Sequence, residues 1–381
     1  MNDQERLSAM LAKLKALDGL DDERFQRMTA ELSRVADKAG CDEEGRLKVA
    51  VFDAKSYDTD SFERRNRSRF TFHYIEAALT LDTVQTARGF KVVCIFVNDT
   101  CDAPVVVELA SLGVEMIALR CAGFNNVDLR ACQEHNLSVA RVPAYSPYAV
   151  AEHTVGLMLM LNRKLHKAYQ RVRAGYFVLE GLTGFDMHGK TIGVAGTGKI
   201  GQCVIDILLG FGCRVLAVDK FPNEQIAARD GVEYVDLDRL LRESDVITFH
   251  VPLFPETHHM VNESSIQKMK EGVMLINTSR GALVDTRALI DGLKSGKIGS
   301  AGLDVYEEEA GVFFHDLSSK VLTDDVLARL LTFNNVVVTS HQAYLTHEAL
   351  ANIADTTLGN IEEYQQGKRG DELTNLVKLQ P

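Results

Sequence analysis

Apolar positions along this chain follow two rhythms, and the change between them divides it. Up to about Arg46 the spacing is helical: Leu7, Met10, Leu11 and Leu14 recur on one face, and Phe25, Met28, Leu32 and Val35 on another. Asp21 or Asp22 is placed to cap the second helix and Gly40 to end it, so a helical hairpin is expected over residues 1–46. Isolated helices of this length are marginal in water, so both apolar faces need cover from the body of the chain or a neighbouring subunit. From Leu47 the pattern changes to short apolar runs separated by helical stretches: LKVAVFDA, FTFHYIEA, KVVCIFVN, VEMIALR and LSVARVP. That alternation predicts a parallel α/β sheet.

One long helix is expected next, from Pro147 to about Ala174. A second series of runs follows it: KTIGVAGTGKIG, CRVLAVD, VEYV, DVITFHV, VMLINTS, SAGLDV and VVVTSH. The last helical stretch, Thr346 to about Gly367, has no strand after it and is expected to return to the first series. The predicted fold class is therefore α/β, with two Rossmann-like lobes on parallel sheets, the first lobe discontinuous, plus the N-terminal hairpin. The expected domains are 1–46 (extension), 47–144 with 345–381 (substrate binding) and 145–344 (nucleotide binding).

Composition narrows the function classes. Of 381 residues, 46% are hydrophobic and 25% charged, as in an ordinary globular protein. A formal net charge of -11 argues against a nucleic-acid partner, since such proteins present basic patches. The one basic run, RRNRSR at 64–69, reads as a solvated turn or helix face. Seven cysteines without a CxxC pair point to a reducing compartment and to no metal site. The chain shows neither a signal peptide, nor a transit peptide, nor an apolar stretch of membrane-spanning length, so a cytoplasmic protein without a membrane partner is expected.

The first chemical signal is Gly196-Thr-Gly198-Lys199-Ile200-Gly201, between the run TIGVA and the apolar helix IGQCVIDILLG. Gly196 permits the tight turn, Gly198 lets a pyrophosphate approach the backbone, and Gly201 lets the helix pack closely on the strand. The next run ends in Asp219, at the distance expected for an acid that binds adenosine ribose hydroxyls. Asp219 would repel a 2′-phosphate, so NAD is expected rather than NADP; the adjacent Lys220 softens that preference.

The second signal is a trio. Arg280, Glu309 and His341 each follow a predicted strand, and in an open parallel sheet the carboxyl ends of the strands line the ligand crevice. A guanidinium offers a bidentate fork to a carboxylate, an imidazole donates a proton near neutral pH, and a neighbouring carboxylate stabilises the imidazolium. That is the equipment for reducing a 2-oxo acid. Spacing alone does not choose among Glu307, Glu308 and Glu309 as the partner of His341. In the first lobe, the loop Arg120-Cys121-Ala122-Gly123 follows VEMIALR, and its amides are placed to hold the same substrate carboxylate.

The ordered set RCAGFNNVD, VPAYSPYAVAEH, GTGKIG, NTSRGALVD, DVYEEE and TSHQAY resembles the D-isomer-specific 2-hydroxyacid dehydrogenases, most closely their fermentative D-lactate-forming members. The resemblance runs from about Leu47 to the C-terminus. It implies Arg280 as the substrate-binding arginine, Glu309 as the acid paired with the catalytic histidine, and His341 as the acid/base. It further implies that the Ala122 and Gly123 amides meet the substrate carboxylate and that Tyr145 and Tyr344 line the pocket. His250, Val251, Pro252 and Thr278 match positions bordering the cofactor, and Asp304 matches an acid near the nicotinamide; His153 is expected to be a satisfied domain-interface histidine. Ser340 stands where the family often has Pro or Gly, and the hairpin lies outside the family pattern. The expected activity is NAD-dependent reduction of pyruvate to D-lactate by a homodimer or homotetramer, with closure of the two lobes excluding water. The alternatives are a bulkier 2-oxo acid as substrate, or an NADH-sensing scaffold like the corepressors built on this fold.

Overall fold

Five short parallel strands, the inner ones buried, organise the first part of the computed structural model, which describes residues 40–309 and 311–379. The two helices expected before Gly40 lie outside the described residues. The strands are β1 (Lys48–Val51), β2 (Thr71–Tyr74), β3 (Val92–Ile95), β4 (Met116–Leu119) and β5 (Ser138–Ala140), in the order β2-β1-β3-β4-β5. Runs such as VVCI in β3 and MIAL in β4 are apolar at every position because helices cover both faces of a parallel sheet.

One of those helices, His347–Gln365, comes from the far end of the chain. Its Ala354, Leu358 and Ile361 pack in one core with Val49, Val51, Val92 and Met116. Burying each valine, leucine, isoleucine or methionine among them contributes about 2 kcal/mol. The same helix meets helix Ser56–Asn66, where Ser61 donates to the Leu350 carbonyl at 2.9 Å. The basic run at 64–69 is used here: Arg65 pairs with Asp355 at 3.3 Å and Arg69 with Glu362 at 3.2 Å. Beyond the helix the chain returns once more, and Leu376 bridges antiparallel to Ala140 at the edge of β5. No apolar run marks that last pairing in the sequence.

The second unit spans Ser146–Thr346 and holds seven parallel strands: β6 (Thr191–Ala195), β7 (Arg214–Val218), β8 (Val232–Tyr234), β9 (Val246–Phe249), β10 (Val273–Asn277), β11 (Ile298–Leu303) and β12 (Val336–Val338). Their order, β12-β11-β10-β9-β6-β7-β8, reverses direction between β9 and β6. Ligands of open α/β sheets bind outside the carboxyl ends of the strands at such a reversal. One core faces helix Lys199–Gly210 and helix Pro147–Asn162; another lies on the opposite side, under helices Thr286–Ser295 and Asp325–Leu331. The chain is thus α/β with two Rossmann-like units on parallel sheets.

Two sequence expectations change. The long helix expected over 147–174 is two helices, Pro147–Asn162 and Leu165–Arg173, because Lys164 takes the left-handed conformation (φ 50°) and breaks the hydrogen-bond ladder. Tyr145, expected to open the second domain, instead closes the first unit, which resumes at His347. The reason is local: Ser146 caps the next helix by accepting from the Ala149 amide, and Pro147 occupies the first helical position. Among the described residues, no helix is long and apolar enough to cross a membrane.

Candidate active site

The glycine turn after β6 lies at the sheet reversal. Gly196 has φ 94°, and a side chain there would meet the His250 carbonyl oxygen at 2.5 Å, so the loops after β6 and β9 touch through bare backbone. At Gly201 a side chain would overlap the Gly196 carbonyl, which is why the helix can start so close to the strand. Gly198 differs: nothing lies within 4 Å of a Cβ built there, and no side chain caps the helix it opens. Free amides at a helix N-terminus, beside open space, suit a pyrophosphate. Lys199 is exposed and Ile200 half-buried at the same turn.

Asp219, at the end of β7, accepts from the Thr197 amide at 2.6 Å, the Thr197 hydroxyl at 3.0 Å and the Phe221 amide at 2.8 Å. Those donors outweigh partial burial and lower its pKa, so the turn carries a fixed negative charge. Tyr234 donates to the Thr197 hydroxyl at 2.8 Å and braces the arrangement from β8. Burial pushes the His250 imidazole down to about 4, so the ring is neutral, hydrogen-bonded to the Thr248 hydroxyl at 3.0 Å. The Val251 carbonyl accepts from Ser279 at 2.6 Å, while Pro252 is exposed. Thr278 is buried, 2.8 Å from the Thr154 hydroxyl; Thr154 donates to Val150, so Thr278 must donate to Thr154.

The loops after β10, β11 and β12 carry the trio. His341 Nδ1 lies 2.9 Å from Glu309 Oε1, and Glu309 Oε2 accepts from the Tyr306 amide at 3.2 Å. With a carboxylate accepting at Nδ1, the transferable proton is carried on Nε2. Glu308 is exposed, and Glu307 turns the other way, toward His259 and Thr286. The three consecutive glutamates are thus told apart by direction, which spacing does not encode. Arg280 is half-buried, its guanidinium donating to the Ser279 carbonyl at 2.7 Å, and Asn277 holds its own carbonyl at 2.9 Å. Directly after it, a side chain at Gly281 would overlap the Tyr306 carbonyl. Glycine therefore lets the arginine loop lie against the glutamate loop.

Asp304, at the end of β11, holds the loop that carries the histidine. Its carboxylate is fully buried and turned into the histidine loop: Oδ1 accepts from Thr339 at 2.6 Å and the Gln342 amide at 2.8 Å, Oδ2 from the Ala343 amide at 3.0 Å. Its own carbonyl accepts from the His341 amide at 2.5 Å. His153 adds a contact at 3.4 Å to Asp304 and 3.0 Å to Thr339, so its ring is satisfied by partners of the second unit. Together these donors lower the Asp304 pKa against the burial that would raise it. The anchoring offsets strain, because Ser340 and His341 both sit in the left-handed region (φ 53° and 56°). Sequence reasoning missed this brace; the signal available was an acid ending the apolar strand IGSAGL.

In the first unit, Arg120 is fully buried, donating to the Asp53 carbonyl at 2.8 Å and lying 3.4 Å from Asp58, so it braces the strand end. The Ala122 carbonyl accepts from Arg141 at 2.8 Å, and Gly123 is half-buried beside it. The Tyr145 carbonyl accepts from Asn352 at 2.6 Å. Tyr344 is buried in the second unit.

Residues 155–343 match the family model described as the D-isomer specific 2-hydroxyacid dehydrogenase, NAD binding domain. The D-lactate dehydrogenase of Escherichia coli K12 is 54% identical over 323 residues, covering 84% of this chain and 98% of that protein. The apo structure of the Escherichia coli enzyme superposes with a TM-score of 0.80 at 51% identity, over 87% of this chain and 100% of that one. A structure described as the pyruvate reductase of Chlamydomonas reinhardtii gives a TM-score of 0.82 at 47% identity, over 89% of this chain and 99% of that one. With this glycine cradle at the reversal of the sheet and relatives matched almost end to end, the chain belongs to the NAD-dependent D-isomer-specific 2-hydroxyacid dehydrogenases.

Proposed function

We propose that this enzyme reduces pyruvate to D-lactate, with His341 as the proton donor and Arg280 as the carboxylate anchor. The observation that carries the reading is the 2.9 Å hydrogen bond between Glu309 and His341, on loops that abut the Arg280 loop at Gly281. The names of the Escherichia coli and Chlamydomonas relatives support the choice of substrate.

NAD in its reduced form, when bound along the Gly196–Gly201 turn with Asp219 toward the ribose, supplies hydride to the C2 carbonyl. The negative charge of Asp219 disfavours a 2′-phosphate there. Arg280 presents two parallel N–H donors to the substrate carboxylate, which fixes the carbonyl carbon in place. His341 gives its Nε2 proton to the carbonyl oxygen as negative charge develops on it, and Glu309 stabilises the imidazolium until that transfer. Asp304 keeps the imidazole aimed by holding its loop. The amides of Ala122 and Gly123 are further carboxylate donors, and Tyr145 and Tyr344 limit the size of the C3 group. His250, Val251, Pro252 and Thr278 border the cofactor.

The setting we propose is the cytoplasm, a reducing compartment in which the seven cysteines would remain thiols. The enzyme is a homodimer or homotetramer: Leu165, Tyr169, Val172, Phe177 and Leu179 are more than half exposed on one stretch of the second unit, and a second copy would cover them. The test is a panel of 2-oxo acids with NADH and NADPH, followed by chiral analysis of the product. Pyruvate with NADH should be preferred and give D-lactate. L-lactate, or a preference for branched or aromatic 2-oxo acids, would overturn the reading.

A further inference from the structure

We propose that His258, His259 and Glu307 form a site for a first-row transition-metal dication of the Zn²⁺ class. One ligand atom from each of the three lies within 4.8 Å of the other two. His259 Nε2 is 2.5 Å from Glu307 Oε1, and the two imidazole rings stack with centroids 3.9 Å apart. Composition and spacing alone predict no such site, because Glu307 lies 48 residues beyond its histidine partner.

Three features distinguish the cluster from an ordinary hydrogen bond between loops. Consecutive side chains on extended backbone point to opposite sides, yet these two imidazoles share one. The cause is His259, which adopts φ 49°, a left-handed conformation that non-glycine residues rarely take. The turn is held in place, since the His259 amide donates to the Ala282 carbonyl at 2.8 Å and its carbonyl accepts from Asn262 at 2.8 Å. Second, Glu307 is oriented from behind: its Oε2 accepts from the Thr286 hydroxyl at 3.0 Å and amide at 3.3 Å, which leaves Oε1 facing the histidines. Outer partners of this kind are what metal-ligating carboxylates have. Third, His258 is exposed, and its ring stacks on that of His259 with a nitrogen near the Glu307 carboxylate.

Two imidazoles and one carboxylate suit Zn²⁺, Co²⁺ or Ni²⁺ and not Mg²⁺ or Ca²⁺, which take oxygen ligands. Three protein ligands at an exposed edge leave a coordination position for water. The cation would tie the loop after β9 to the loop that carries Glu309, so its occupancy bears on the rigidity of both.

The experiment uses the full chain, stripped with a chelator and titrated with Co²⁺ by visible absorption and with Zn²⁺ in competition with a chromophoric chelator. One site per chain is expected, with a nitrogen–oxygen cobalt spectrum. His258→Ala should weaken binding by about tenfold or more, the loss typical of disturbing a metal's partners. The same variant should reduce pyruvate like the parent in metal-free buffer. Glu307→Gln should weaken binding as well. The proposal fails if neither ion binds, if His258→Ala binds like the parent, or if a thiolate-to-cobalt charge-transfer band reveals a cysteine site.

Discussion

Glu309 grips His341 from one side only: Oε1 takes Nδ1 at 2.9 Å while Oε2 is committed to the Tyr306 amide at 3.2 Å. The carboxylate is therefore a fixed anvil that determines which ring nitrogen faces outward. Glu309→Gln keeps the shape but lets the amide present either end, so the imidazole loses its defined tautomer. Turnover should fall by about tenfold or more, because a placed proton donor contributes about two to four orders of magnitude and part of that is lost when its tautomer is no longer fixed. Glu308→Gln, on an exposed side chain, should stay within about twofold of the parent, inside the small effect usual for surface changes. Equal losses in both variants would remove the special standing of Glu309.

His341→Gln removes the proton donor and leaves the glycine turn untouched. Steady-state rates should drop by about two to four orders of magnitude. Binding of NADH, followed by its fluorescence, should be unaltered. A variant that retains parental turnover would mean that another group supplies the proton.

Arg280→Lys replaces a planar fork with a point charge. The KM for pyruvate should rise more than kcat falls, because uniform binding of the carboxylate is what is lost. Kinetics identical to those of the parent would place this side chain away from the substrate.

Gly281→Ala tests how closely two loops must approach. The new methyl group would overlap the Tyr306 carbonyl, which is backbone and has no rotamer by which to yield. A lowered melting temperature is expected together with reduced turnover, since both the arginine and the glutamate loops would shift. Unchanged melting and activity would show that the loops have slack.

His250 supplies a pH signature. Its folded pKa is about 4, below the ordinary 6.5, because burial disfavours the charged ring. Between those values the unfolded chain binds the proton and the native one does not, so stability falls as pH drops from about 6.5 toward 4. Thermal melts at pH 7 and pH 5 should show a smaller loss for His250→Asn than for the parent. An equal loss in both would assign the acid sensitivity elsewhere.

What the sequence made legible follows from how local each signal is. Apolar runs such as VMLIN and TIGVA report burial on both faces of a strand, and the glycines of GTGKIG report a turn whose causes lie within a few residues. The break at Lys164 was invisible because a single left-handed residue interrupts an otherwise unbroken helical pattern. The brace by Asp304 escaped for another reason. It depends on four donors from a loop more than thirty positions away, at Thr339 to Ala343, together with His153. The direction of Glu307, Glu308 and Glu309 was open for the same cause, since each is defined by partners in other loops.

The return of the chain to its first sheet has a consequence in time. The face of β1, β3 and β4 that Ala354, Leu358 and Ile361 cover is made early, but its cover is translated only after the whole of the second unit. At about 5–20 residues per second, translation of the intervening 146–346 takes roughly 10 to 40 s. By the end of that interval the second unit has its whole sequence and is free to fold, while the first has waited throughout with apolar surface bare. A nascent chain arrested before His347 would be a chaperone client with one finished half, and helix His347–Gln365 acts as the latch that ends its dependence.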